Sequence, residues 1–227
     1  VAAHDNHVGY YGASETSGAP ADKWGWAVQA ALSIKNIPTG PGDTINIQGV
    51  YTDGATRYNA QSLAPVSYQI YGGSNVAGAY GSLAFANAPD TVFVTGGAQE
   101  SVKTWGFRGA YTHNWNAAWN TAIYGSYAQV KYGTVGTAAI CANAVALLAL
   151  TGTCNPNFDI STIGLITRWT PVKNLTFSAD FAYSMLDQKY SGTVAAPASA
   201  GNAKPGGFYE LKDQNSMTLL IRAQRNW

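Results

Sequence analysis

The last twelve residues, S-M-T-L-L-I-R-A-Q-R-N-W (216–227), limit the possible folds more than any other stretch. Counting back from Trp227 in twos gives Arg225, Ala223, Ile221, Leu219 and Met217. The other parity gives Asn226, Gln224, Arg222, Leu220, Thr218 and Ser216. A strand sends alternate side chains to opposite faces, so one face here is mostly apolar and ends in an aromatic ring, and the other is mostly polar. A soluble sheet edge accommodates such a strand. An alternating strand that stops on an aromatic residue also matches the last strand of a barrel crossing a bilayer, where rings sit at the membrane surface.

Composition favours the second reading. Charged residues make up 11% of the chain, against roughly 25% in ordinary soluble domains. Mean hydropathy is nevertheless close to zero, at -0.09. Strands with one face toward lipid and one toward water average out in this way. The longest apolar stretch, residues 138–150, is broken by Asn143 and falls short of the roughly 18 residues that a spanning helix needs. A net charge of +1 gives no reason to expect nucleic acid or an acidic substrate as partner. The chain opens on Val1 with no basic or apolar leader, from which processing or truncation is expected.

Alternation recurs along the chain. Trp24, Trp26, Val28, Ala30, Leu32 and Ile34 share one face of a strand, with Gln29, Ser33 and Lys35 on the other. Ile45, Ile47, Gly49 and Tyr51 follow after an N-I-P-T-G-P-G turn (36–42). Trp105, Phe107 and Tyr111 oppose Thr104, Arg108 and Thr112 in a strand over about 100–114. The strand over 120–133 has tyrosines on both parities, and Gln129 and Lys131 are expected to face inward. Residues 158–170 place Ile163, Leu165 and Trp169 against Arg168, and 175–185 place Leu175, Phe177, Phe181 and Tyr183 against Ser178 and Asp180. A poorly alternating first strand over 1–11 brings the count to eight. The intervening 55–99 stretch is expected to be a loop with short strands at 66–71 and 91–95, and 190–212 a plain loop.

The connections run long, short, very long, short, long, short, long. Antiparallel strands crossing an outer membrane have this rhythm, with long loops outside and short periplasmic turns; a Greek-key sandwich has no need of it. The fold expected is therefore all-β, a transmembrane antiparallel up-and-down β-barrel.

The stretches K-W-G-W-A-V-Q-A-A-L-S-I-K-N-I-P, P-G-D-T-I-N-I-Q-G-V-Y-T-D-G, R-W-T-P-V-K-N-L-T-F-S-A-D-F-A-Y and I-R-A-Q-R-N-W closely resemble the alphaproteobacterial (rhizobial and Brucella-type) general porins. The resemblance runs from about Trp24 to Trp227. It implies an integral outer-membrane protein, a sixteen-stranded and usually trimeric barrel passing small hydrophilic solutes, with lipid as its other partner and no cofactor. Eight strands correspond to the C-terminal half of such a barrel, so residues 1–227 are expected to be a single porin domain lacking its N-terminal half. The alternative is a small closed eight-stranded barrel with a structural or adhesive role.

Cys141 and Cys154 are the only cysteines. If paired, they close a loop of about 14 residues, worth on the order of 3 kcal/mol in the chain-entropy model, and imply an oxidising compartment; the alternative is two unpaired buried thiols. Lys35, Arg108, Lys131, Arg168, Asp180 and Arg222 are expected to line the pore. Burying an arginine or lysine in lipid costs about 2–4 kcal/mol at mid-depth, which alone drives such charges inward. Trp24, Trp26, Trp105, Trp169, Tyr183 and Trp227 are expected at the membrane interfaces. His4 and His7 lie three apart on a strand and so on opposite faces, which speaks against a shared metal. The 73–78 glycine spacing lacks the Lys and Ser/Thr of a phosphate loop. No nucleophile elbow and no paired carboxylates point to an enzyme.

Overall fold

The computed structural model describes residues 1–12, 15–59, 67–196 and 204–227. In chain order its elements are β1 (Ala2–Asn6), β2 (Lys23–Lys35), β3 (Thr44–Asp53), β4 (Ser67–Gly72), β5 (Gly81–Asn87), β6 (Thr91–Val92) and β7 (Glu100–Ser101). These are followed by β8 (Lys103–Asn114), β9 (Trp119–Lys131), α1 (Thr134–Leu148), β10 (Phe158–Val172), β11 (Leu175–Gln188), β12 (Gly192–Ala196), β13 (Gly207–Leu211) and β14 (Gln214–Arg225).

Among the described residues, eight strands form one sheet in the order β1-β2-β3-β8-β9-β10-β11-β14. Every pair in it is antiparallel, the up-and-down order expected. Among the described residues the sheet is not closed: β14 pairs with β11 alone and β1 with β2 alone. The closed eight-stranded barrel, in which the last strand would meet the first, is not formed.

Registers fix the faces, because residues directly opposite in an antiparallel pair point to the same side. Leu32, Ile47, Gly109, Gly125, Ile163, Tyr183 and Met217 form one continuous row across seven strands. The adjoining row on the other face reads Ala31, Gln48, Arg108, Ser126, Thr162, Ser184 and Ser216. One side of the wall is therefore apolar and the other polar.

Short turns gather at one end. Lys173 and Asn174 join β10 to β11, with Asn174 in the left-handed region (φ 66) that asparagine tolerates. Pro171 lies within a register irregularity between Trp169 and Val172, where its missing N–H costs no ladder bond. The β2–β3 turn is pinned by Asp43, which is fully buried. Its carboxylate accepts from the Asn114 N–H (2.8 Å), His113 Nδ1 (2.7 Å), Thr39 Oγ1 (2.7 Å) and the Tyr111 hydroxyl (3.0 Å). Burial pushes this carboxyl up, but the four donors outweigh it and hold it well below the usual carboxylate range.

The long connections gather at the other end and build a layer of their own. A second sheet runs β12-β13-β5-β4, with β13 and β5 parallel. The 55–99 stretch thus contains β4 and β6 close to where short strands are expected, although Val66 lies outside the described residues. It also contains β5, and the 190–212 connection contains β12 and β13, none of which alternation revealed. Their strength is tertiary: Ala84 and Ala86 of β5 pack on Val130, Phe158 and Leu186 of the main sheet and on Val102, just ahead of β8. Full burial of Phe158 or Leu186 is worth about 1.5–3 kcal/mol each. Leu83, Val194, Tyr209 and Leu211 form a neighbouring cluster with Leu150 and Tyr190. Helix α1 fills part of the cysteine-bearing connection, and Cys141 and Cys154 are disulfide-bonded with Cα atoms 5.7 Å apart.

This packing reverses one expectation. Val130 is fully buried beneath the loop layer, so its neighbours Gln129 and Lys131 point to the apolar side. Lys131 sits directly opposite Lys103, and Gln129 opposite Trp105. With tyrosines on both parities of β9, only the contact of Val130 with the loop layer decides the matter.

Candidate pore wall and membrane-facing surface

The polar face gathers five of the six side chains expected to line a pore. Arg108 lies between Gln48 on β3 and Ser126 on β9. Arg168 lies opposite Asn120 and Ser178, and Ser178 is in turn opposite Arg222, so the two guanidinium-bearing strands flank one small residue. Arg168 donates to Asn120 Oδ1 at 3.3 Å. Lys35, opposite Thr44, is on the same face at the turn end. None of Lys35, Arg108, Arg168 and Arg222 has an ion-pair partner among the described residues. Asp180, the acid of this face, accepts from the Tyr124 hydroxyl at 2.7 Å instead. Gly164 lies directly opposite Tyr124 and makes that contact possible, because a Cβ there would run into the tyrosine ring. The sixth residue, Lys131, belongs to the opposite face and leaves the set.

Tyr124 is the polar-face residue that sequence reasoning missed. The parity of Val130 would have placed Tyr124, had there been any sign that Val130 is buried. Gln48 falls on the polar parity of β3, opposite Arg108, and residue order alone gives it no role.

The other face carries two bands of rings. At the turn end Trp119, Trp169 and Phe177 stack across three strands with centroids 5.6 Å apart at each step. At the loop end Trp26 meets Tyr51 at 5.5 Å and Trp105 meets Tyr127 at 5.3 Å, with Trp24 just beyond. Along β9, Trp119 and Tyr127 are eight residues apart, about 27 Å of strand. At a tilt of about 40° this spans roughly 20 Å of height, close to the apolar band of a membrane barrel. Ile123, Leu165, Phe181 and Leu219 fill the interval as another continuous row. All four are exposed, Leu219 at 65%. Tyr183 shares this face but lies within the strand, opposite Ile163 and Met217. Trp227 follows the end of β14, with the Arg225 guanidinium 5.4 Å from its ring centroid.

Other candidate chemistry disperses. His4 contacts the Gly54 carbonyl at 3.0 Å and His7 contacts Asp22 at 2.8 Å, so the two take separate partners. Among the described residues no three His, Cys, Asp or Glu side chains converge as a metal site. No described helix is long and apolar enough to cross a membrane, which says nothing about crossing by strands.

A wall with one apolar ring-banded face and one polar cationic face is the geometry of a lipid–water partition. No curated protein and no solved structure matches the chain. The family model described as Porin subfamily matches residues 3–220. That match spans nearly the whole length and coincides with the wall and its loop layer, so the chain belongs to the Porin subfamily, whose members are non-enzymatic diffusion channels of the bacterial outer membrane.

Proposed function

We propose that the eight-stranded sheet is part of the wall of a wider porin barrel, as the resemblance to a C-terminal half implies. The observation that carries this is the division of faces across seven strands in a sheet that, among the described residues, leaves both edges unpaired. An unpaired edge strand is a template for further pairing, and β14 offers 12 residues of it. In this reading Lys35, Arg108, Arg168, Asp180 and Arg222 face a water-filled lumen. Trp24, Trp26, Trp105, Trp169 and Trp227 sit at the two interfaces, with Tyr183 between them. Association as a homotrimer is part of the same reading and follows from the family resemblance.

Solutes pass by diffusion, sieved by pore width and biased by the wall's field. Four unpaired cations against one hydrogen-bonded acid favour anions. Charge reversal at Arg168 and Arg222 tests this in planar bilayers under a salt gradient. The double variant R168E/R222E is expected to move the permeability ratio toward cations by roughly fivefold, the effect of two charge reversals in a screened aqueous pore. An unchanged reversal potential would remove these arginines from the lumen.

A further inference from the structure

We propose that the polar face carries a binding subsite for small monocarboxylate solutes with a flat apolar body, centred on Arg108 and Gln48. The inference rests on the pore reading, since the subsite faces the proposed lumen. A cavity of about 730 Å³ opens on this part of the wall, within the range of small-molecule sites. Its lining includes Gln48, Arg108, Ser126, Tyr68 and Ile160.

Two independent features point to an anionic occupant. The Gln48 side-chain nitrogen Nε2 is buried and has no hydrogen-bond partner. A buried donor left unpaired is costly, and such groups call for a ligand or water to satisfy them. The Arg108 guanidinium also lacks an ion-pair or hydrogen-bond partner among the described residues. The two residues are directly opposite in the β3–β8 register, which brings their Cβ atoms to about 5 Å. A carboxylate can accept the guanidinium's two parallel N–H groups, and the Gln48 amide nitrogen, which no bond holds in place, becomes a further donor once it rotates toward the cavity. Among the described residues the cavity lining contains no Asp or Glu to compete for the guanidinium. One guanidinium matches one negative charge, which favours a monocarboxylate over a phosphate dianion. Tyr68 and Ile160 supply flat and apolar surface for the rest of the solute.

The test uses the chain folded in detergent micelles, titrated with benzoate while the Arg Nε–H and Gln amide signals are followed by NMR. Saturable shifts at Arg108 and Gln48 are expected, with no response to the neutral isostere benzamide. R108Q and Q48L are each expected to weaken benzoate binding by about tenfold, the loss of a hydrogen bond to a charged group. Q48L removes no charge and keeps the test decisive should R108Q fail to fold. Shifts that do not saturate, an equal response to benzamide, or binding unaffected by Q48L would each overturn the subsite. The micelle readout does not depend on conduction. Saturable benzoate binding beside an unchanged reversal potential in R168E/R222E would therefore contradict the selectivity mechanism and leave the subsite standing, and the reverse pattern would sink the subsite alone.

Discussion

Leu219→Arg lowers the stability of the chain in lipid bilayers by about 2–4 kcal/mol, whereas Thr218→Arg changes it by about 0.5 kcal/mol or less. The two residues are neighbours on the same edge strand, and both are exposed. Only their faces differ. Leu219 continues the apolar row of Ile123, Leu165 and Phe181, while Thr218 lies opposite Ala182 on the polar side. At mid-depth a guanidinium on the apolar side must leave water for hydrocarbon, and on the polar side it stays hydrated. Denaturant unfolding in lipid vesicles, followed by tryptophan fluorescence, measures both variants. Equal losses at the two positions would mean that both faces meet the same solvent.

Gly25→Ala is expected to cost about 3 kcal/mol, at the upper end for overpacking of a close contact. A Cβ at Gly25 would overlap the Gly54 carbonyl oxygen, which is backbone and cannot rotate away. That oxygen is further held by Asn6 Nδ2 at 2.9 Å and His4 Nε2 at 3.0 Å. Gly54 itself sits at φ 68, in the left-handed region that glycine adopts at no steric cost. Gly49→Ala is the control on the next strand, since the nearest atom to its Cβ is the Gly106 carbonyl at 4.0 Å. The same unfolding assay compares them, and a Gly25→Ala variant as stable as Gly49→Ala would contradict the close crossing of β2 and the Gly54 turn.

The wall strands were legible in the sequence because each meets two solvents, and two-residue alternation records that directly. Strand β11 shows this best, with Phe177, Phe181 and Tyr183 on one side and Ser178 and Asp180 on the other. The face of β9 was not legible. Tyr124 and Tyr127 occupy both parities, and burial of Val130 under β5 depends on a contact between distant segments. Strands β5, β12 and β13 of the loop layer escaped notice for a related reason. Strand β5 is G-S-L-A-F-A-N with its first four residues all buried, so it has no wet face to alternate with. The arginines of the polar face were found through parity, but the unpaired donor of Gln48 is a matter of side-chain environment and leaves no trace in residue order. The open edges, too, follow from which strands pair, and no local pattern encodes that.

The central claim is that one face of this sheet meets lipid and the other meets water. Nitroxide scanning of residues 176–184 of β11 in bilayers tests it most directly, with oxygen and a polar nickel chelate as collision reagents. Positions 177, 179, 181 and 183 are predicted to favour oxygen, and positions 176, 178, 180, 182 and 184 the chelate, in strict alternation. Equal chelate access along both parities would contradict the account.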